Sequence, residues 1–140
     1  MKVREIMTED VITVSQDTGI QNVARLMKEN DIGTVLVVED RNVLGLITDR
    51  DIVIRAIAEG KNPTSTRARD VMSTDIILVT PDTDAHEAAE IMAEHQIKRL
   101  PVVENDKLMG IVALGDLAIE EIHIDEAGNA LYGISQGIQH

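Results

Sequence analysis

The sequence contains no cysteine, phenylalanine or tryptophan, and its 140 residues include one tyrosine and three prolines. Without cysteine, disulfide bonds and thiolate chemistry are excluded. Apolar residues still make up 44% of the chain, so aliphatic side chains and methionine must fill the core. No apolar run approaches the ~20 residues that a membrane-spanning helix requires. We therefore expect a compact domain and no membrane partner.

Basic residues are also scarce: 13 Lys and Arg stand against 25 Asp and Glu, for a formal charge of −12. This balance argues against direct contact with nucleic acid, which attracts basic surfaces. The N-terminal stretch MKVREIMTED lacks the apolar segment of a signal peptide, and the absence of cysteine suits a cytoplasmic protein. A chain this acidic can bind an anion only where it concentrates its few cations.

The chain consists of two copies of one pattern, offset by 65 residues. When positions 4–53 are aligned with 69–118, 16 of the 50 pairs are identical and no gap is needed. Arg4 aligns with Arg69, and Gly45 aligns with Gly110. Identities at this density indicate an internal duplication.

Each copy predicts the order β-α-β-β-α. Apolar runs bounded by polar turns predict the strands at 11–14, 35–39 and 43–48, and again at 76–79, 100–104 and 108–113. Thr18 and Gln21 form a candidate capping box at the start of the first helix. The last helix of each copy is expected to begin near Asp49 or Leu114.

The pattern divides the chain into four segments: repeat 1 (1–58), a linker (59–67), repeat 2 (68–122) and a tail (123–140). In the tail, Ala127, Leu131 and Ile134 suggest one amphipathic helix. A single repeat is small for a stable domain. We therefore expect an α+β fold in which the two repeats pack as a pseudo-two-fold pair, with the function in the clefts between them.

Motifs for catalysis are missing. The sequence has no phosphate-binding P-loop, no dinucleotide-binding glycine pattern, no G-x-S-x-G and no H-E-x-x-H. The histidines show no i, i+4 pair, and we expect them to be solvated or capping: His86, His95, His123 and His140. We therefore expect neither an enzyme nor a metal site.

Thr48 and Asp51 follow the third strand in the stretch GLITDRDI. As a capping box, Thr48 accepts a hydrogen bond from the first helical turn and Asp51 favours the positive end of the helix dipole. As a ligand site, Asp51 accepts hydrogen bonds from ribose hydroxyls and Arg50 meets a phosphate. Both interpretations fit the residues.

The second copy keeps Asp116 but has Ala113 where the first has Thr48. It also places Lys98 and Arg99 before its middle strand. These cations suit a phosphate, or they protect a strand edge from aggregation. Two unequal sites are expected.

The motifs REIMT…VITV…GLITDRDI and RDVMS…KRLPVVE…GIVALGDL resemble a tandem cystathionine-β-synthase (CBS) domain pair, also called a Bateman module. The resemblance covers residues 3–118. It implies an α+β pair with an adenosine-nucleotide site in each of two clefts. The family's ligands are AMP, ADP, ATP, NAD-type dinucleotides and S-adenosylmethionine, and AMP is our first expectation.

In that family a G-h-h-[ST]-x-x-D motif contacts ribose, and a basic position contacts phosphates. The ribose motif maps onto Thr48 and Asp51, and in the second copy onto Ala113 and Asp116. The first strands of the copies would supply backbone groups and apolar walls for the base. The resemblance thus implies the ligand-binding set Ile12, Thr13, Val14, Thr48, Arg50, Asp51, Ile77, Val79, Lys98, Arg99, Ala113 and Asp116.

The resemblance implies a regulatory sensor that changes conformation or partner binding when an adenine nucleotide binds. A homodimer and an unidentified protein partner are also expected. The alternative is a structural or interaction module whose clefts stay empty, with Thr48 and Asp51 only capping a helix. A binder of NAD or S-adenosylmethionine is a further alternative.

Overall fold

The fold alternates short strands and helices, as the duplicated pattern predicts. The computed structural model describes residues 1–122, with side chains to residue 118. Its elements are β1 (Thr13–Val14), α1 (Ile20–Asn30), β2 (Thr34–Glu39), β3 (Asn42–Thr48), α2 (Asp49–Asp51), α3 (Ala68–Val71), α4 (Ala85–His95), β4 (Arg99–Glu104), β5 (Lys107–Ala113) and α5 (Leu114–Ile122). A 3-10 turn covers Val3–Glu5, and a π-helical stretch at Ile52–Ile57, here called the π segment, continues α2. The α+β class is confirmed.

Both β-hairpins form where the polar turns predict them. β2 pairs antiparallel with β3, and β4 pairs antiparallel with β5. All four strands begin one residue before their predicted starts. The two turn residues of each hairpin have positive φ, which matches the twist of the flanking strands: Asp40, Arg41, Asn105 and Asp106.

Two local predictions were wrong. The capping box of Thr18 and Gln21 does not form, because Thr18 Oγ1 accepts from Ser15 N–H at 3.1 Å and α1 begins after Gly19 instead. The predicted strand at 11–14 is reduced to β1, which lacks the first two predicted positions. Its copy at 76–79 is reduced to a single parallel bridge between Val79 and Val102.

The chain divides into two compact units whose limits are not those of the repeats. The first unit is Ile12–Ile76, and the second combines Met1–Val11 with the chain from Ile77 onward. The segment that precedes the first strand of each repeat therefore belongs to the unit that contains the strands of the other repeat. We call these segments the N-terminal leader (Met1–Val11) and the inner leader (66–76).

Each leader completes the core of its unit. In the first unit, Ala68 and Val71 of the inner leader are fully buried beside the strands and α1. In the second unit, Val3 of the N-terminal leader is fully buried in the same way. Full burial of a valine side chain stabilises a fold by about 1.5–3 kcal/mol, so a unit without its leader would lose a large part of its stability.

Ion pairs between charged residues that the two copies share also hold the leaders. Arg4 of the N-terminal leader contacts Asp82 at 2.6 Å, and Arg69 of the inner leader contacts Asp17 at 2.8 Å. The hydrogen bond from Arg4 lowers the pKa of the Asp82 carboxyl. These pairs are exposed, so they fix the position of a leader more than they stabilise it.

None of the helices within residues 1–122 is long and apolar enough to cross a membrane. The tail helix predicted from Ala127, Leu131 and Ile134 lies outside the described residues, as do His123 and His140.

Two glycines let the leaders approach the sheets closely. A Cβ on Gly45 would lie 2.8 Å from the Ser73 carbonyl oxygen and 2.9 Å from Met72 Sδ. A Cβ on Gly110 would lie 2.7 Å from the carbonyl oxygen of Thr8. All three distances are too short for a real contact, so each leader requires glycine at the sheet position that it covers.

Gly45→Ala should therefore destabilise the fold by about 1–3 kcal/mol, because the methyl group meets backbone atoms that cannot move independently of the leader. Urea denaturation measures the change. Gly19→Ala is the control, since a Cβ there meets no atom within 4 Å. An equal loss in both variants would contradict the account of the leader contact.

Candidate functional site

The predicted ligand-binding residues of the first unit gather at one end of its sheet. The strand order is β1-β2-β3. Thr13 pairs with Leu36 near the start of β2, and Thr48 pairs with Thr34 at that start. Neighbouring strands lie about 4.8 Å apart, so β1 and β3 flank β2 at a separation of about 10 Å. That width suits a nucleoside lying across the sheet end.

Thr48 and Asp51 form a reciprocal capping box, as predicted. The Asp51 N–H donates to Thr48 Oγ1 at 3.0 Å, and the Thr48 N–H donates to Asp51 Oδ2 at 2.9 Å. The Asp51 side chain is 16% exposed, so it is held but still reachable from solvent. Oδ1 makes no hydrogen bond with any residue that the structure describes, and it lies 3.8 Å from Arg55 Nε. A carboxylate oxygen in this state can still accept hydrogen bonds from a ligand.

Two charged residues surround this carboxylate at the start of α2. Arg50 is exposed and has no ion pair with a described residue. Asp49 is also exposed, and its Oδ1 accepts from the Arg50 N–H at 2.8 Å. The Asp49 N–H donates to the Gly33 carbonyl at 2.9 Å. The first unit therefore sets one free cation against two carboxylates.

The second unit repeats half of this arrangement. The Ala113 N–H donates to Asp116 Oδ2 at 3.2 Å, but Ala113 has no hydroxyl to accept a bond in return. The Leu114 N–H donates to the Lys98 carbonyl at 2.7 Å, as Asp49 does to Gly33 in the first unit. Asp116 is thus placed like Asp51 but held by one hydrogen bond.

The charges of the second unit differ from those of the first. Lys98 is exposed and Arg99 is half-buried, and neither has an acidic partner among the described residues. Leu114 replaces the acidic Asp49. Two free cations and one carboxylate therefore stand where the first unit has one cation and two carboxylates.

The first-strand residues divide into core and accessible positions. Val14 and Val79 are 7% and 5% exposed, so their side chains belong to the cores. The Val79 N–H also donates to the Pro101 carbonyl at 3.1 Å. Ile12 and Ile77 are half-buried at the core margins, where we expect them to supply the apolar contact to a base.

A groove of about 330 Å³ lies on the helical side of the second unit. It is lined by Ala89, Met92, Ala93, Gln96, Ile97, Lys98 and Leu114. Its lining offers no carboxylate for a ribose and includes neither Ala113 nor Asp116. It nevertheless adjoins the capping-box position, because Lys98 belongs to the predicted ligand-binding set and Leu114 directly follows Ala113.

The sequence prediction missed Arg55. Besides approaching Asp51, its Nη1 donates to the carbonyl oxygens of Val71 and Met72, each at 3.2 Å. The i, i+4 spacing from Asp51 was the available signal. Among residues 1–118, no group of three or more potential metal ligands converges.

Comparison with known proteins identifies the family. The family model for the CBS domain matches residues 3–57 and 68–122. The CBS domain-containing protein YhcV of Bacillus subtilis is 44% identical over 133 residues, which are 95% of this chain and 94% of that one. The chain therefore belongs to the CBS domain family and carries two such domains in tandem.

Solved structures share this fold. A candidate signal-transduction protein with CBS domains from Burkholderia ambifaria is 26% identical, with a TM-score of 0.81 over 90% of this chain and 97% of that one. The CBS domain pair of protein MJ0100 is 23% identical, with a TM-score of 0.78 over 89% of this chain and 98% of that one. That pair was solved in complex with 5′-methylthioadenosine and S-adenosyl-L-methionine.

Substitutions at the two capping positions should change the free energy of unfolding in opposite directions. Thr48→Ala removes an acceptor from a helix start and should cost about 1 kcal/mol, while Thr48→Ser should retain most of it. Ala113→Thr should complete the second capping box and raise the free energy of unfolding by up to about 1 kcal/mol. Urea denaturation of the three variants checks this. A destabilised Ala113→Thr variant would show that the half-box cannot accept a hydroxyl.

Proposed function

We propose that this tandem CBS pair is a regulatory module that binds an adenine nucleotide, with AMP as the first candidate. The ribose would bind at Thr48 and Asp51 in the first unit, and at Asp116 in the second. One observation carries the proposal: Asp51 Oδ2 is fixed by the Thr48 backbone, while Oδ1 has no hydrogen-bond donor within residues 1–118.

Ribose chemistry fits such a carboxylate. The two hydroxyls of ribose are hydrogen-bond donors, and an ionised carboxylate is an acceptor that can receive both. Because the capping box already holds Asp51, little conformational entropy is lost when a ligand binds. The same geometry of Asp51 therefore allows it both to cap the helix and to bind the ligand. The complex of MJ0100 with adenosine-containing ligands supports this ligand class for the fold.

The charges around the two sites favour different ligands. Lys98 and Arg99 would stabilise the phosphate of AMP, ADP or ATP in the second unit. In the first unit, Asp49 opposes the phosphate that Arg50 attracts. We therefore propose that phosphorylated ligands prefer the second unit, whereas S-adenosylmethionine, whose sulfonium carries a positive charge, suits the first.

Regulation would follow from differential binding. A ligand that binds one conformation better than another shifts the population toward it, and a partner protein would sense that shift. We place this module in the cytoplasm, where its proposed ligands are abundant, and assign it no catalytic step. The alternative is an interaction module without ligand, in which Thr48 and Asp51 serve only as a cap.

Calorimetric titration with AMP tests the proposal. Asp51→Ala and Asp116→Ala should each remove one binding event, because each loses the ribose acceptor. Asp49→Ala is the matched control on the same helical turn, and it should tighten AMP binding in the first unit by removing an opposing charge. At ~100 Kd of ligand, the wild type should gain about 2.7 kcal/mol of stability.

If the wild type neither binds nor is stabilised by millimolar AMP, ATP, NAD or S-adenosylmethionine, the interaction module without ligand is the better account. Binding that survives both Asp51→Ala and Asp116→Ala would instead refute the ribose assignment.

We also propose that the module forms a homodimer. Three apolar side chains of the π segment are about half exposed: Val53 (55%), Ile54 (48%) and Ile57 (54%). Such a group on one short segment is typical of a protein interface. Isologous pairing is the commonest way for two identical chains to cover it.

Substitution of Val53 and Ile57 by Glu should therefore convert the dimer to a monomer, as measured by light scattering after gel filtration. Gln21→Glu with Asn22→Glu is the control, since it adds the same charge to an exposed polar part of α1. A wild type that is already monomeric at high concentration would contradict the proposed dimer.

A further inference from the structure

Arg55 joins three parts of the first unit that are far apart in the chain. It lies within the π segment, one helical turn after Asp51. Its Nε is 3.8 Å from Asp51 Oδ1, and its Nη1 donates to the Val71 and Met72 carbonyls at the end of α3. One guanidinium therefore contacts both the proposed ribose acceptor and the inner leader.

The contacted part of the leader is the part that docks on the sheet. The Met72 side chain lies against Gly45, and Ser73 exchanges two backbone hydrogen bonds with Leu46 at 2.9 and 3.0 Å. A shift of the carbonyls that Arg55 holds would therefore disturb this docking. The leader, the strand and the carboxylate form one connected set of contacts.

The second copy has no arginine at the position of Arg55. The residue aligned with Arg55 is Glu120, an acid that has no hydrogen to donate to a carbonyl and repels a carboxylate. The second copy also continues as the regular helix α5, whereas the first changes to a π-helix directly after Asp51. π-helical turns inside helices occur frequently at functional sites.

We propose that Arg55 is a positioning residue that couples ligand binding at Asp51 to the attachment of the inner leader, and that this coupling operates in the first unit alone. The inference rests on the proposed ribose contact at Asp51. The guanidinium of Arg55 lies 3.8 Å from Asp51 Oδ1, the oxygen to which a ribose hydroxyl would donate.

The coupling has a physical direction. A ribose bound to Oδ1 shields the ion pair between Asp51 and Arg55 from solvent, so the guanidinium, whose side chain is 49% exposed, becomes more ordered. An ordered guanidinium holds the Val71 and Met72 carbonyls more steadily, so the inner leader opens less often. By linkage, a more firmly attached leader raises the affinity for the ligand by the same factor.

Hydrogen exchange of the full chain with and without saturating AMP tests the coupling. In the wild type, AMP should slow exchange of the Met72 and Ser73 amides, which bond to Ala68 and Leu46 carbonyls. Arg55→Met should abolish this slowing and weaken AMP binding to the first unit by about 10-fold, the range of a typical coupling energy. Arg25→Met is the control, because Arg25 is an exposed arginine on α1 whose side chain donates to Asn22 and contacts neither Asp51 nor the inner leader.

The outcomes separate the coupling from the ligand proposal. If the wild type binds no AMP in calorimetry, the proposed function fails and the coupling fails with it. If the wild type binds AMP but Arg55→Met keeps the ligand-dependent slowing, only the coupling is wrong. An Arg55→Met variant whose exchange rises equally with and without AMP assigns Arg55 a structural role and overturns the proposal.

Discussion

The close approach of each leader to a glycine in the sheet is the constraint on which the rest of the structure depends. Without a side chain at Gly45, the backbone at Ser73 can exchange two hydrogen bonds with Leu46 and bring Val71 into the core. Gly110 allows the same contact with Thr8 in the second unit. Each leader precedes the strands of one repeat in the chain but packs on the strands of the other. The two repeats therefore depend on each other to complete their cores.

The same constraint reaches the candidate site. The inner leader ends in the carbonyls that Arg55 holds, and Arg55 faces the carboxylate of Asp51. Asp51 is fixed on its other side by the Thr48 backbone. The Thr48 backbone therefore fixes Oδ2 of Asp51, the proposed ribose acceptor. Oδ1 faces Arg55, which the inner leader holds in place. In the second unit, Asp116 has only the backbone contact among these.

Local patterns predicted much of this structure. The repeat, the hairpins and the capping box of Thr48 and Asp51 follow from residues close in sequence, whose contacts are set by turn and helix geometry. The exchange of the leaders was not predicted, since it joins residues such as Arg4 and Asp82 that are 78 positions apart. Thr18 failed as a cap for a local reason: its hydroxyl has a competing donor in Ser15 that the helix pattern does not reveal. The alignment of the two copies did contain a signal. Arg4 is identical to Arg69 and Asp17 to Asp82, and each arginine contacts the aspartate of the other copy.

Mapping AMP binding by NMR on the ¹⁵N-labelled chain tests the central claim most directly. If Asp51 accepts the ribose and the leader is coupled to it, AMP should shift the amide signals of Thr48 and Asp51, together with those of Met72 and Ser73. Signals from exposed α1 residues such as Arg25 should stay in place. An absence of shifts at millimolar AMP, or shifts confined to the second unit, would contradict the account.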